Sequence, residues 1–146
     1  MKYLNEMKLN FPSRSANEAF ARMAVSAFLA QMDPTVEEIS DIRTAVSEAV
    51  TNCIVHGYPD CVGVITLEAG IKEDGWVVIR VKDRGKGIPD VAQAMEPMFT
   101  TCQNGERAGL GFAVMESFTD KLKVRSAVGK GTTVTMEKQI QSKKKV

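Results

Sequence analysis

The 146-residue sequence predicts an α/β (α+β) two-layer sandwich, one layer of helices on one face of a sheet. Three observations predict it. Apolar residues recur at helical spacing behind two capping-box patterns. Several short segments alternate or run apolar between turn residues, as strands do. Composition is that of an ordinary globule, with 44% hydrophobic and 25% charged residues. There is no internal repeat and no linker, so residues 1–146 are expected to form one domain with a short basic tail at about 141–146.

Residues 7–11 alternate as a short strand, stopped by Pro12 and Ser13. Ser15 and Glu18 have capping-box spacing, and Phe20, Met23, Ala24, Ala27 and Phe28 form the apolar face expected of the first helix. Asp33-Pro34 ends it. Thr35 and Glu38 open a second helix to about Val55, with Ile39, Ile42, Val46, Ala49, Val50 and Cys53 as its stripe. Val62–Ile71 and Trp76–Asp83 read as a hairpin about Asp74-Gly75. Residues 90–108 read as a short helix and a polar loop. Leu110–Phe118 is a helix with Leu110, Val114 and Phe118 on its apolar face. Leu122–Arg125 and Thr132–Gln139 are the last strands, joined through Gly129-Lys130-Gly131.

Lys plus Arg is 19 and Asp plus Glu is 18, a net charge of +1. A nucleic-acid binder usually carries a basic excess, so direct nucleic-acid binding is not expected. No apolar run is long enough to span a membrane, and the N-terminus lacks a signal-like stretch, so a cytoplasmic location is expected. Three cysteines with wide spacing and no C-x-x-C read as free thiols. Neither G-x-x-x-x-G-K-[ST] nor G-x-G-x-x-G occurs.

Four groups of residues carry possible chemistry. Glu48, Asn52 and His56 share one helix face at i, i+4, i+8; they fit a cleft wall or a satisfied helix rim. Period two places Asp83 on the same strand face as Val77, Ile79 and Val81, just before Gly85 and Gly87. A buried carboxylate needs a donor, which a ligand amine or the loop amides supply. Gly105–Phe112 opens a helix whose N-terminus favours phosphate, or is only a flexible loop. Gly129–Thr133 is a turn entering a strand.

In this order and spacing, the four groups resemble the boxes of the GHKL superfamily of ATP-binding domains. Glu48 and Asn52 match its first box, Asp83-x-Gly85-x-Gly87 its second, Gly109-x-Gly111 its third and Gly131-Thr132 its fourth. The resemblance covers nearly the whole chain. It implies a Bergerat-type fold with a mixed, mostly antiparallel sheet, and ATP/ADP with Mg²⁺ as cofactors. It implies that Asp83 accepts from the adenine amine with Thr132 near the same base, and that Asn52 is the ligand to Mg²⁺. Thr100, Thr101, Gly109, Leu110 and Gly111 would lie at the nucleotide, within or beside an ATP lid from about Met98 to Ala108.

Val46–Asn52, Pro97–Thr101 and Glu106–Phe112 are most similar to the anti-sigma-factor serine kinases of Gram-positive bacteria, nearest the branch from endospore formers. That resemblance implies two partners: a sigma factor of the sigma F type, and an anti-anti-sigma factor phosphorylated on serine. It implies a homodimer, whose surface is expected on the N-terminal edge strand and first helix. Glu48 is the candidate general base and Arg107 the candidate clamp on phosphate oxygens. Arg14, Glu18 and Arg22 are the candidate partner contacts, and they also fit a solvated helix face. The general stress-response branch, a histidine kinase's catalytic domain cut from a longer protein, and an ATP-binding module without transfer are the alternatives.

Overall fold

The computed structural model describes residues 2–96 and 110–141, with the side chain of Leu110 excepted. Thr100, Thr101, Arg107, Gly109, the Leu110 side chain, the expected lid and tail residues 142–146 lie outside the described residues. The chain runs β1 (Asn5–Pro12), α1 (Ala16–Leu29), α2 (Val36–Asn52), β2 (Val64–Ile71), β3 (Trp76–Asp83), α3 (Val91–Ala94), α4 (Leu110–Phe118), β4 (Lys121–Ala127) and β5 (Gly131–Gln139). The five strands lie in the order β1-β2-β3-β5-β4. Every pairing among the described residues is antiparallel, where a mixed sheet was implied.

Alternation makes the sheet two-faced. Leu9, Leu67 and Val81 stand in register, as do Ile79 with Met136 and Val81 with Val134. Leu67, Val81, Val134 and Met136 are buried beneath the helices. The opposite face carries Lys8, Glu68 and Arg80, with Glu68 pairing to Arg80 at 3.5 Å and to Lys8 at 4.0 Å.

The first helix departs from expectation in two ways. Ser15 has helical φ/ψ of −59° and −31°, and its side chain caps nothing. A capping serine needs an extended backbone to turn its oxygen toward the first amides. Here the chain enters through a tight turn, with Arg14 N–H donating to the Pro12 carbonyl and Asn17 N–H to that of Arg14. Glu18 is instead drawn to α2, where it accepts from the Ser47 hydroxyl and pairs with Arg22 at 3.1 Å. The helix is also rolled from the expected face. Ala21, Val25, Ser26 and Leu29 are buried, while Phe20 and Met23 are 51% and 53% exposed. Two apolar arcs exist on α1, and the one with small residues permits closer packing on α2. Arg43 on α2 donates to the Ser26 hydroxyl at 2.7 Å and fixes that roll.

The second helix matches its capping box. Thr35 Oγ1 accepts from Glu38 N–H at 3.0 Å, and Glu38 Oε1 accepts from Thr35 N–H at 2.9 Å. Glu38 Oε2 also accepts from Gln141 N–H at 2.8 Å, which ties the chain after β5 to the start of α2. Among the described side chains of α4, Phe112 and Met115 are buried, while Val114 and Phe118 of the expected apolar line are half-buried. Packing against α2 selects that face.

Desolvation pushes the Glu38 carboxyl upward, but the Gln141 and Thr35 bonds and nearby Lys138 outweigh it and hold the group below its ordinary value. A carboxyl depressed on folding stabilises above its unfolded pKa, and that stability is lost as pH falls. Glu38→Gln is therefore expected to lower stability by about 0.5–1 kcal/mol at pH 7. Thermal melts should show the gap closing as pH drops below about 4.3, the ordinary glutamate value.

Candidate functional site

The apolar face of β3 ends in a carboxylate. Val77, Ile79 and Val81 are buried in sequence, and Asp83 on the same face is only 8% exposed. Such a group must collect donors. Asp83 Oδ1 accepts from Gly85 N–H at 2.9 Å, and the Thr132 amide and the Cys53 thiol lie near enough to favour its ionised form. Burial nevertheless dominates and raises its pKa above the ordinary value. Burial and the neighbouring Asp83 charge likewise push the Cys53 thiol well up, so it stays protonated.

Asp83 opens into a cavity of about 410 Å³, within the range of small-molecule sites. Asn52, Cys53 and His56 form one wall and Gly111 and Phe112 of α4 another. Gly87, Ile88 and Pro89 border it after β3, and Thr132 and Val134 of β5 complete it. The glycine loops are forced by close approach. Gly131 has φ of +106°, and a Cβ there would stand 2.1 Å from the Asp83 carbonyl oxygen. A Cβ on Gly111 would stand 3.0 Å from both terminal atoms of the Asn52 amide. A side chain at Gly131 would push against the β3 backbone, and one at Gly111 would close the space beside the Asn52 amide. Gly85 sits behind Asp83 against the Gly57 carbonyl.

The expected helix-face triad is partly redistributed. The α-helix ends at Asn52, and residues 53–57 form one π-helical turn closed by Tyr58 N–H on the Cys53 carbonyl at 2.9 Å. The wider turn changes the spacing past Asn52, yet His56 still reaches the cavity. π-turns inside helices recur at functional sites. Glu48 lies one turn before Asn52, outside the residues that line the cavity. Among the described residues no group of three or more His, Cys, Asp or Glu could hold a metal. A metal here would rely on the Asn52 amide oxygen, with ligand oxygens and water, a donor set that suits Mg²⁺. Arg14 is exposed, and Glu18 and Arg22 are partly covered on α1, away from the cavity.

Sequence reading overlooked two supporting side chains. Tyr58 accepts from Arg84 N–H at 2.7 Å and donates to the Val64 carbonyl at 2.8 Å, clamping the end of β3 to the start of β2. Ser126 accepts from Ile88 N–H at 2.7 Å and contacts Thr132 Oγ1, also at 2.7 Å. Neither has a sequence signal of its own: a tyrosine after a helix and a serine in a strand are common. Cross-strand register alone shows that Ser126 faces Thr132.

Residues 11–138 match the family described as "Histidine kinase-like ATPase domain". A curated relative from Thermoanaerobacter pseudethanolicus, named "Anti-sigma F factor", is 58% identical over 99% of this chain and 100% of its own length. One of the same name from Geobacillus stearothermophilus is 53% identical over 92% of each. The solved RsbU and RsbW domains of Rv1364c from Mycobacterium tuberculosis superpose with a TM-score of 0.70 at 23% identity, over 93% of this chain and 32% of that one. The sensor histidine kinase MprB superposes with a TM-score of 0.58 at 15% identity, over 93% of this chain and 98% of that one.

Proposed function

The chain belongs to the anti-sigma F factor family, built on a histidine kinase-like ATPase domain, and from that premise we propose that it is an ATP-dependent serine kinase. In this reading it holds a sigma factor of the sigma F type in the cytoplasm, and phosphorylates a serine on that factor's anti-anti-sigma antagonist. The observation that carries the nucleotide reading is the state of Asp83. A carboxylate offers about four acceptor positions. The Gly85 amide occupies one, and Asp83 lines the cavity with acceptor capacity left for a donor there. An adenine amine supplies that donor, and the apolar walls receive the ring.

Phosphoryl transfer asks mainly for positioning and charge neutralisation. Asn52 would hold Mg²⁺, whose charge neutralises phosphate oxygens when it is bound. Glu48, one turn away, would take the proton of the acceptor serine. Thr100, Thr101, Gly109, Leu110 and Gly111 would surround the phosphates, and Arg107 would clamp them. Arg14, Glu18 and Arg22 would meet protein partners on α1. The exposed Phe20 and Met23, next to edge strand β1, support a homodimer surface there.

The test is incubation of the protein with γ-labelled ATP, Mg²⁺ and the anti-anti-sigma protein. Label is expected on a serine of that protein; ATP binding without label would leave a binding module. The metal role is checked separately. Asn52→Ala is expected to weaken ATP binding on the order of tenfold more with Mg²⁺ than in EDTA, a 1.4 kcal/mol difference by calorimetry. Equal weakening in both would assign Asn52 to phosphate or structure instead.

A further inference from the structure

Ser126 lies outside the cavity, yet it governs which hydrogen-bonding character Thr132 shows inside it. Three polar contacts meet at the Ser126 hydroxyl. Ile88 N–H donates to it at 2.7 Å. The Gly131 carbonyl lies 3.0 Å away. Thr132 Oγ1 lies 2.7 Å away. A hydroxyl has one proton and two lone pairs. The Gly131 carbonyl only accepts, so Ser126 must spend its proton there. Its lone pairs are then left for Ile88 N–H and the Thr132 hydroxyl. Only this assignment makes all three contacts hydrogen bonds. Thr132 therefore donates to Ser126 and turns lone pairs alone toward the cavity.

Thr132 pairs with Asp83 across β5 and β3, and both line the cavity. With Ser126 in place, the polar end of the cavity offers two acceptors and no hydroxyl donor. We infer that Ser126 is a specificity-determining positioning residue: by fixing the Thr132 proton outward, it selects 6-amino over 6-oxo purine nucleotides. A 6-amino group brings two N–H donors to two acceptors. A 6-oxo group brings an acceptor and would leave it facing Thr132 unpaired, and a polar site discriminates strongly when its groups are left unpaired. Freed from Ser126, the Thr132 hydroxyl can rotate and donate to a 6-oxo oxygen. This inference rests on the nucleotide reading of the cavity.

The experiment titrates ATP and ITP, which differ at position 6, into the wild type, Ser126→Ala, Ser126→Thr, Thr132→Val and Ser126→Ala/Thr132→Val. The wild type is expected to prefer ATP. Ser126→Ala should shrink the ATP-to-ITP affinity ratio about tenfold or more, while a general loosening of the Ile88 loop would weaken both nucleotides alike. Ser126→Thr keeps the hydroxyl and should restore the ratio. In the Thr132→Val background, Ser126→Ala should leave the ratio unmoved, because no hydroxyl remains to reorient. An unchanged ratio in a Ser126→Ala protein that still binds ATP would overturn the inference and leave the nucleotide site standing. So would an equal ratio shift with and without Thr132. If Ser126→Ala fails to fold, a Ser126→Thr protein with a collapsed ratio overturns the inference by itself. A wild type that binds neither nucleotide would overturn the site reading, and this inference with it.

Discussion

Replacing Asp83 with asparagine is expected to weaken ATP binding by about 1.5–3 kcal/mol, roughly 10- to 150-fold, while the protein stays folded. The carboxylate lines the cavity, where its unused acceptor capacity would meet the base. Asparagine keeps the shape but turns either an amine or a weaker, neutral oxygen to that place. The pH dependence follows from the raised pKa of Asp83, caused chiefly by burial. A carboxyl raised on folding favours the protonated folded form, so it costs the free protein stability at neutral pH and gives some back as pH falls. A nucleotide amine would need the ionised form. ATP affinity of the wild type should therefore fall on acidification from a pH above the ordinary aspartate range, while Asp83→Asn shows no such step. Calorimetry across pH checks both. Unchanged affinity in a folded Asp83→Asn protein would remove the base-anchoring role.

Glu48→Gln is expected to slow phosphorylation of the anti-anti-sigma protein at least about 100-fold, the usual contribution of a general base. ATP and sigma-factor binding should persist, because Glu48 lies outside the cavity lining, one turn before Asn52. A partner's serine would approach from that end of α2, beyond the phosphates. Single-turnover transfer of label, measured beside nucleotide titration for the same protein, separates the two steps. Full transfer by Glu48→Gln would assign the proton to another acceptor.

The expected elements recur in the structure wherever a local interaction suffices to specify them. The Thr35–Glu38 box forms because both partners lie within one turn and nothing competes for Glu38 except Gln141, which binds its other oxygen. The Ser15–Glu18 box has the same spacing and fails, since Glu18 finds Ser47 and Arg22 instead. Spacing proposes a cap; the neighbouring helix disposes of it. The same holds for α1 and α4. Periodicity identifies each helix, but each has more than one apolar arc, and only packing against α2 determines which arc is buried.

What the sequence by itself determined was the order of elements, the place of Asp83 on an apolar strand face, and the glycines at 85–87, 111 and 131. These follow from period two, period 3.6 and the rarity of clustered glycine, all of which are local. Tertiary structure decided what those residues meet. It brought Gly131 against the Asp83 carbonyl, Gly111 over Asn52, and Thr132 into register with Asp83 from distant parts of the chain. It widened the end of α2 into a π-turn that still delivers His56 to the cavity. It also set Ser126 opposite Thr132 through strand register. Asp83 and Thr132 pair across strands that are far apart in the chain, and no short window of sequence holds both sides of that alignment.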